Sequence, residues 1–324
     1  MNEHDIFSKD RFNFVKGVLA LVVVFHHATQ RTDIFAELPI VKFLCLNLGF
    51  YSVASFLFFS GFGLMCSYRR DLNKCSVKVC NKAICLIILN YTLIVMYTLL
   101  KFLLGYDFEV QEFLRSIMIG GGNIVTYGWY LQVIILLYLS FAFSAKLGKR
   151  MCLWAVIMFS LSFLLTARQT GVPNYYYINT MAFPLGCIVA NFKQRIQEVL
   201  SHHFCLLFVV MLFLMEFFAG YLFYMNGISN IITQLINMTQ GSVFTILLIT
   251  IMARTKKRFP NTSLSSIFLE IYVLQGIAFL FLRNDYWNCG SDLFIVVASI
   301  ATTILLAVLF KPLSNKIMNL KVLK

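Results

Sequence analysis

Charge is scarce in this chain of 324 residues. Asp, Glu, Lys and Arg together make up 13% of it, about half of what an ordinary soluble domain carries. There are five prolines, no low-complexity tract and no long polar stretch, which leaves no place for a separate soluble domain. The nine cysteines form no CxxC pair. Most fall inside apolar runs or, like Cys75 and Cys80, in basic connections, a distribution that suits packed thiols better than a disulfide or metal framework. No repeat of fixed period appears. Acidic residues are also few, 14 against 27 Lys and Arg, for a formal net charge of +13.

What the chain has instead is apolar bulk: 60% apolar residues, 33 Phe and a mean hydropathy of +0.79. That is the composition of a protein that lives in a bilayer. The expectation is an all-α fold, a polytopic integral membrane helix bundle of about ten transmembrane helices forming one membrane domain over residues 1–324. Runs long enough to cross hydrocarbon fall near 13–30, 46–68, 83–104, 127–145, 151–167, 176–192, 203–224, 234–253, 264–282 and 292–310. The stretch Met1 to Thr29 has the basic start and apolar centre of a signal peptide. It lacks a small-residue cleavage site, because His26 and His27 follow the apolar run, so it reads as an uncleaved first helix.

An even number of spans puts both termini on one side. With that side cytoplasmic, all but six of the 27 basic residues lie inside, the exceptions being Arg31, Lys42, Lys101, Arg115, Arg168 and Arg283. This asymmetry obeys the positive-inside rule and orients the chain. The positive balance is then topological, and nucleic acid is not an expected partner; membrane lipid is.

Polar groups at depth are costly in hydrocarbon and mark candidate sites. Ten residues separate Lys16 from His27. If Lys16 lies at the cytoplasmic surface, the helical rise puts His27 roughly 16 Å higher, near the midplane. Ser60-Gly61 begins nine residues before Arg69, roughly 13 Å above the same face, which predicts that a weakened point of the second span meets His27 at one level. Neutral imidazole can take a hydroxyl proton at neutral pH without a metal. Lys16, Arg69 and Arg70, with Lys78 and Lys82, would ring the mouth below and suit a phosphate-bearing donor. Plainer readings stand beside these. A membrane histidine also serves as a packing hydrogen-bond partner, Ser60-Gly61 as a small-residue helix contact, and the basic residues as lipid-phosphate contacts. His26, about 100° round the helix, reads as structural. Glu270 and Glu216 are the carboxylates well inside spans, and Glu270 is expected to pair with another span, Lys16 or Arg11 being the nearest basic candidates.

The run Lys16 to His27, a basic residue, ten mostly apolar residues and then histidine, resembles the first-span signature of the acyltransferase family 3 membrane proteins. Phe56 to Phe62 resembles that family's second-span segment and Gly128-Trp129-Tyr130-Leu131 its Trp-Phe-Leu segment. Asn179 to Gly186 resembles its FPLG stretch, and Ser266 to Gln275 its S-x-E-I-Y-L-x-H ending. The chain departs from the pattern at Asn13, where Asp is common, at Lys16, where Arg is common, and at Gln275, where His is common. The resemblance implies an integral membrane enzyme of a bacterial-type inner membrane that moves an acyl group, often acetyl, from cytoplasmic acyl-CoA to a hydroxyl of a surface-glycan or lipid-linked sugar. It implies His27 as the catalytic base or part of an acyl relay, with Lys16, Ser60, Arg69, Arg70, Trp129 and Glu270 contacting substrate. Acyl-CoA is a co-substrate, and no permanent cofactor or metal is expected. Direct transfer and a covalent relay through Ser60 both remain open. The competing class is a transporter or flippase, which ten spans and buried polar groups also describe.

Overall fold

The computed structural model describes residues 7–107, 109–117, 124–228, 231–255, 263–282, 290–320 and 322. A chain in hydrocarbon must satisfy its peptide groups internally, and the apolar runs accordingly become helices. In order these are α1 (Lys9–Gln30), α2 (Pro39–Arg70), α3 (Leu72–Leu103), α4 (Val110–Ser116), α5 (Trp129–Lys146), α6 (Lys149–Gln169), α7 (Ala182–Asn191), α8 (Lys193–Ser201), α9 (His203–Met225), α10 (Ile231–Arg254), α11 (Ser263–Ser266), α12 (Phe268–Leu282) and α13 (Asp292–Met318). Among the described residues the structure is all-helical. Of the basic residues used to orient the chain, Lys256, Lys257, Arg258, Arg283, Lys321 and Lys324 lie outside the described residues.

Among the described residues eight helices, α1, α2, α3, α5, α6, α9, α10 and α13, are long and apolar enough to cross a membrane. The sixth and ninth expected spans are shorter than ten equal crossings require. Among the described residues helix α7 has 10 residues and α12 has 15, about 15 and 22 Å against a hydrocarbon core of about 30 Å. Local side-chain bonds explain both. Asn179 Nδ2 donates to the Phe50 carbonyl and Thr180 Oγ1 to that of Tyr177, which holds residues 177–181 in turns. In the ninth, Ser266 Oγ donates to Ser263 O and Lys311 Nζ donates to Ser266 O, and the helix is interrupted at Ile267. Short polar side chains compete with helical pairing in this way.

Helix α1 is central, packed on α2, α11, α12 and α13. Helix α2 runs unbroken for 32 residues, so the expected weak point at Ser60-Gly61 is absent. Gly61 serves the crossing with α7 instead. A Cβ on Gly61 would collide with the Phe183 carbonyl, and one on Gly186 with the Phe58 carbonyl, so the two backbones meet through paired glycines. The far end of α1 is tied down by Lys42, whose Nζ donates to Thr29 O (2.6 Å) and Thr32 O (2.8 Å). A cation there meets the unpaired carbonyls and the negative end of the helix dipole.

Candidate functional site

Two cavities lie along α1, one at each end. The larger, ≈ 940 Å³, collects Lys9, Lys16, Arg70, Lys78, Lys82 and Lys193 around the basic ends of α1, α2, α3 and α8, with Lys311 of α13 completing the ring. Glu270 is the one carboxylate among its lining residues, and it is already engaged. Ser314 Oγ donates to Glu270 Oε1 at 2.6 Å and Lys311 Nζ to the same oxygen at 3.1 Å. The expected pairing of Glu270 with a basic or hydroxyl group of another span is present, but the candidates Lys16 and Arg11 are not its partners. Helix α13 supplies the partners, while Arg11 donates to the Met252 and Thr255 carbonyls (2.7 and 2.9 Å). Register along a helix gives height, not direction, and Glu270 sits in the first turn of α12, where α13 covers it.

Lys16 keeps its ammonium uncompensated. It faces the rings of Phe268 (5.4 Å) and Phe59 (6.0 Å) and makes no hydrogen bond or ion pair among the described residues. A cavity with this excess of cations over carboxylates focuses a positive potential and attracts a polyanion. Ser60 lines the same cavity, as does Gly63, whose missing side chain leaves open space. Arg69 does not. Its guanidinium donates to the Ala190 and Asn191 carbonyls at the end of α7 (3.0 and 2.8 Å), beside a shallower basic depression shared with Arg70, Lys193 and Arg195.

The smaller cavity, ≈ 330 Å³, holds His26, His27, Gln30, Gly49, Phe50, Thr126, Tyr127, Trp129, Tyr175 and Tyr272 among its walls. Five of these are aromatic, so the cavity offers broad rings with few polar groups. His27 is 7% exposed. Its Nδ1 lies 2.9 Å from Gln30 Oε1. An amide oxygen accepts, so Nδ1 carries the proton and Nε2 keeps its lone pair. Tyr127 stacks on the imidazole, with centroids 3.5 Å apart and planes 15° from parallel, and Arg31 Nε donates to the Tyr127 hydroxyl at 2.9 Å. Trp129 lines the same cavity and packs against Tyr175 (5.6 Å) and Tyr176 (6.1 Å).

His26 does not face away from this cavity; it lines it, 4.7 Å from His27 between ring centroids. Its Nδ1 is bound to the Cys45 carbonyl at 2.8 Å, and the ring fills the space that a side chain on Gly49 would take. Sequence reasoning also put Ser60 level with His27, yet the two residues line different cavities. The cavities meet at an aromatic partition. Tyr130 lines the basic cavity and Tyr272 the histidine cavity, their rings 5.0 Å apart, and Phe56 packs on both (5.8 and 6.3 Å). Gln30, Tyr127 and Tyr272 were not singled out from the sequence. Gln30 alone had a usable signal, three residues after His27 and so on the same face of α1.

A family model described as an acyltransferase domain, that of acyltransferase family 3, matches residues 9–311, nearly the whole chain. Among curated proteins and among solved structures, nothing matches it.

Proposed function

The chain belongs to acyltransferase family 3, and from that premise we propose that this multi-pass membrane acyltransferase takes an acyl group, acetyl in the simplest case, from acyl-CoA held in the basic cavity. The acceptor is a hydroxyl of a surface-glycan or lipid-linked sugar held in the aromatic cavity. The observation that carries this reading is the spacing of the two cavities on one helix. Lys16 and His27 are eleven positions apart, about 16 Å along α1, a length that the extended pantetheine arm of CoA can bridge while its phosphates stay among the cations.

In this reading Lys16, Arg70, Lys78 and Lys82 neutralise the phosphates of the donor, and the thioester passes the Phe56, Tyr130 and Tyr272 partition. His27 Nε2 takes the proton of the acceptor hydroxyl as its oxygen attacks the thioester carbonyl. Gln30 holds the tautomer that leaves this nitrogen free. Collapse of the tetrahedral intermediate breaks the carbon–sulfur bond, and the thiolate recovers the proton from His27. Ser60 sits on the donor side of the partition, which favours direct transfer over a relay through that hydroxyl. The clustered Lys and Arg of the basic cavity support a cytoplasmic side for it by the positive-inside rule, where acyl-CoA is found.

Purified protein in detergent is incubated with radiolabelled acetyl-CoA. The proposal expects labelled acetate or an acetylated product together with free CoA thiol. An intact donor after many hours, with or without added membrane glycolipid extract, would contradict it and return weight to a carrier.

A further inference from the structure

We infer that Tyr272 is a further catalytic residue, whose hydroxyl donates a hydrogen bond to the oxyanion formed at the thioester carbonyl. The inference rests on the acyl-transfer reading and adds a group that it did not contain.

The Tyr272 side chain is 1% exposed, and its hydroxyl, approached by the Tyr130 backbone N–H, has no acceptor for its own proton among the described residues. A buried hydroxyl whose proton has no acceptor costs free energy, so such a group is retained where something else completes it. Several polar atoms elsewhere in the molecule are also buried without partners, Tyr51, Ser160 and Gln240 among them. Of all these residues, Tyr272 is the one that lines the cavity containing His27.

The surroundings of Tyr272 hold it still and add to the field. Its ring is fixed by Tyr130 at 5.0 Å and Phe56 at 6.3 Å. One turn further along α12, a side chain on Gly276 would collide with Thr126 and with the Tyr97 hydroxyl, and that hydroxyl donates to the Val273 carbonyl at 2.8 Å. Helix α12 is thereby pressed against the residues that lead into α5. Thr126, Tyr127 and Trp129 from that lead-in line the same cavity. The first turn of an 18-residue helix presents peptide N–H groups without intrahelical partners and the positive end of the helix dipole. His27, a hydroxyl whose proton has no acceptor and a helix N-terminus thus share one cavity of ≈ 330 Å³.

The step balances with the groups named. The acceptor oxygen bonds to the carbonyl carbon as His27 takes its proton. The carbonyl electron pair moves onto oxygen, where Tyr272 donates a hydrogen bond without giving up its proton. When the carbonyl re-forms, the carbon–sulfur bond breaks and the thiolate takes the proton from His27. A donor aimed at the developing oxyanion acts in the transition state and leaves ground-state binding of the thioester little changed.

The test compares full-length wild type with Tyr272→Phe, which keeps the ring and its packing. Turnover of acetyl-CoA is followed by release of the CoA thiol. Binding is measured for two non-reactive CoA ketones in which a methylene replaces the thioester sulfur link, one ending in a methyl ketone and one in a trifluoromethyl ketone. The fluoroketone hydrates to a tetrahedral centre that mimics the intermediate. The expected result is a kcat about 10²–10³-fold lower in Tyr272→Phe with KM and methyl-ketone affinity unchanged. The tighter binding of the fluoroketone seen in wild type should also be lost. A variant that keeps wild-type kcat, or keeps the preference for the fluoroketone, overturns the role of Tyr272. Failure of wild type to bind either ketone or to release thiol would instead sink the acyl-transfer reading beneath it.

Discussion

Tyr127 lies flat on the imidazole of His27, 3.5 Å between centroids, and it does so from a left-handed backbone conformation, φ +66°. A bulky residue with positive φ is strained by about 1–2 kcal/mol, and such strain persists where surrounding structure over-determines it. Here the Arg31 to Tyr127 hydrogen bond and the ring stack hold the residue in place. Tyr127→Phe should keep the stack and most of the activity. Tyr127→Ala should lower kcat on the order of tenfold or more through loss of the imidazole orientation, while KM for acyl-CoA, set in the other cavity, stays close to wild type. Equal rates for the two variants in the thiol-release assay would show that the stack does not position His27.

His26 and His27 should separate by readout. His26→Ala removes a second hydrogen bond from the Cys45 carbonyl, which helix α2 already engages, and opens a void over Gly49, so it should cost stability, about 0.5–1.5 kcal/mol for the lost hydrogen bond alone, seen as a lower melting temperature in detergent. His27→Ala should melt close to wild type and fail in turnover. A His26→Ala protein with unchanged melting would refute the structural role given to it.

Lys16→Glu places a carboxylate where a lone ammonium now faces Phe59 and Phe268. The expected change is a raised KM for acetyl-CoA, with a smaller effect on the rate for a short thioester lacking the nucleotide, because the lost contact is with phosphates remote from the reacting carbon. Equal losses with both donors would remove Lys16 from the phosphate site.

Glu270→Gln should keep a hydrogen bond with Ser314 and retain partial activity. Glu270→Leu should strand the Ser314 hydroxyl and leave the Lys311 ammonium with the Ser266 carbonyl alone, destabilising the α12 to α13 contact by about 1–3 kcal/mol. Thermal unfolding that does not distinguish the two variants would contradict the pairing.

The helical architecture was legible because apolar runs bounded by charges leave a chain in hydrocarbon few alternatives to helix. Hydropathy could not show that α7 is short and that α12 starts only after a break at Ile267, since Asn179, Thr180 and Ser266 act through individual side-chain bonds that averaging over a span conceals. The basic cavity was partly legible: Lys16, Arg70, Lys78 and Lys82 do come together. Arg69, one residue from Arg70, turns to the α7 carbonyls, and neighbours on a helix point about 100° apart. The partner of Glu270 and the neighbours of His27 were not legible. Tyr127 and Tyr272 come from distant segments whose contacts with α1 depend on how α5 and α12 pack, which spacing along the chain does not encode.

The central claim is that His27 is the base of acyl transfer, and the most direct test is the rate of CoA thiol release from acetyl-CoA by purified wild type and His27→Ala at equal folded concentration. The account predicts a loss of about 10²–10⁴-fold in the variant, with affinity for a non-reactive acetyl-CoA ketone preserved. A His27→Ala protein that keeps more than half of the wild-type rate would contradict it.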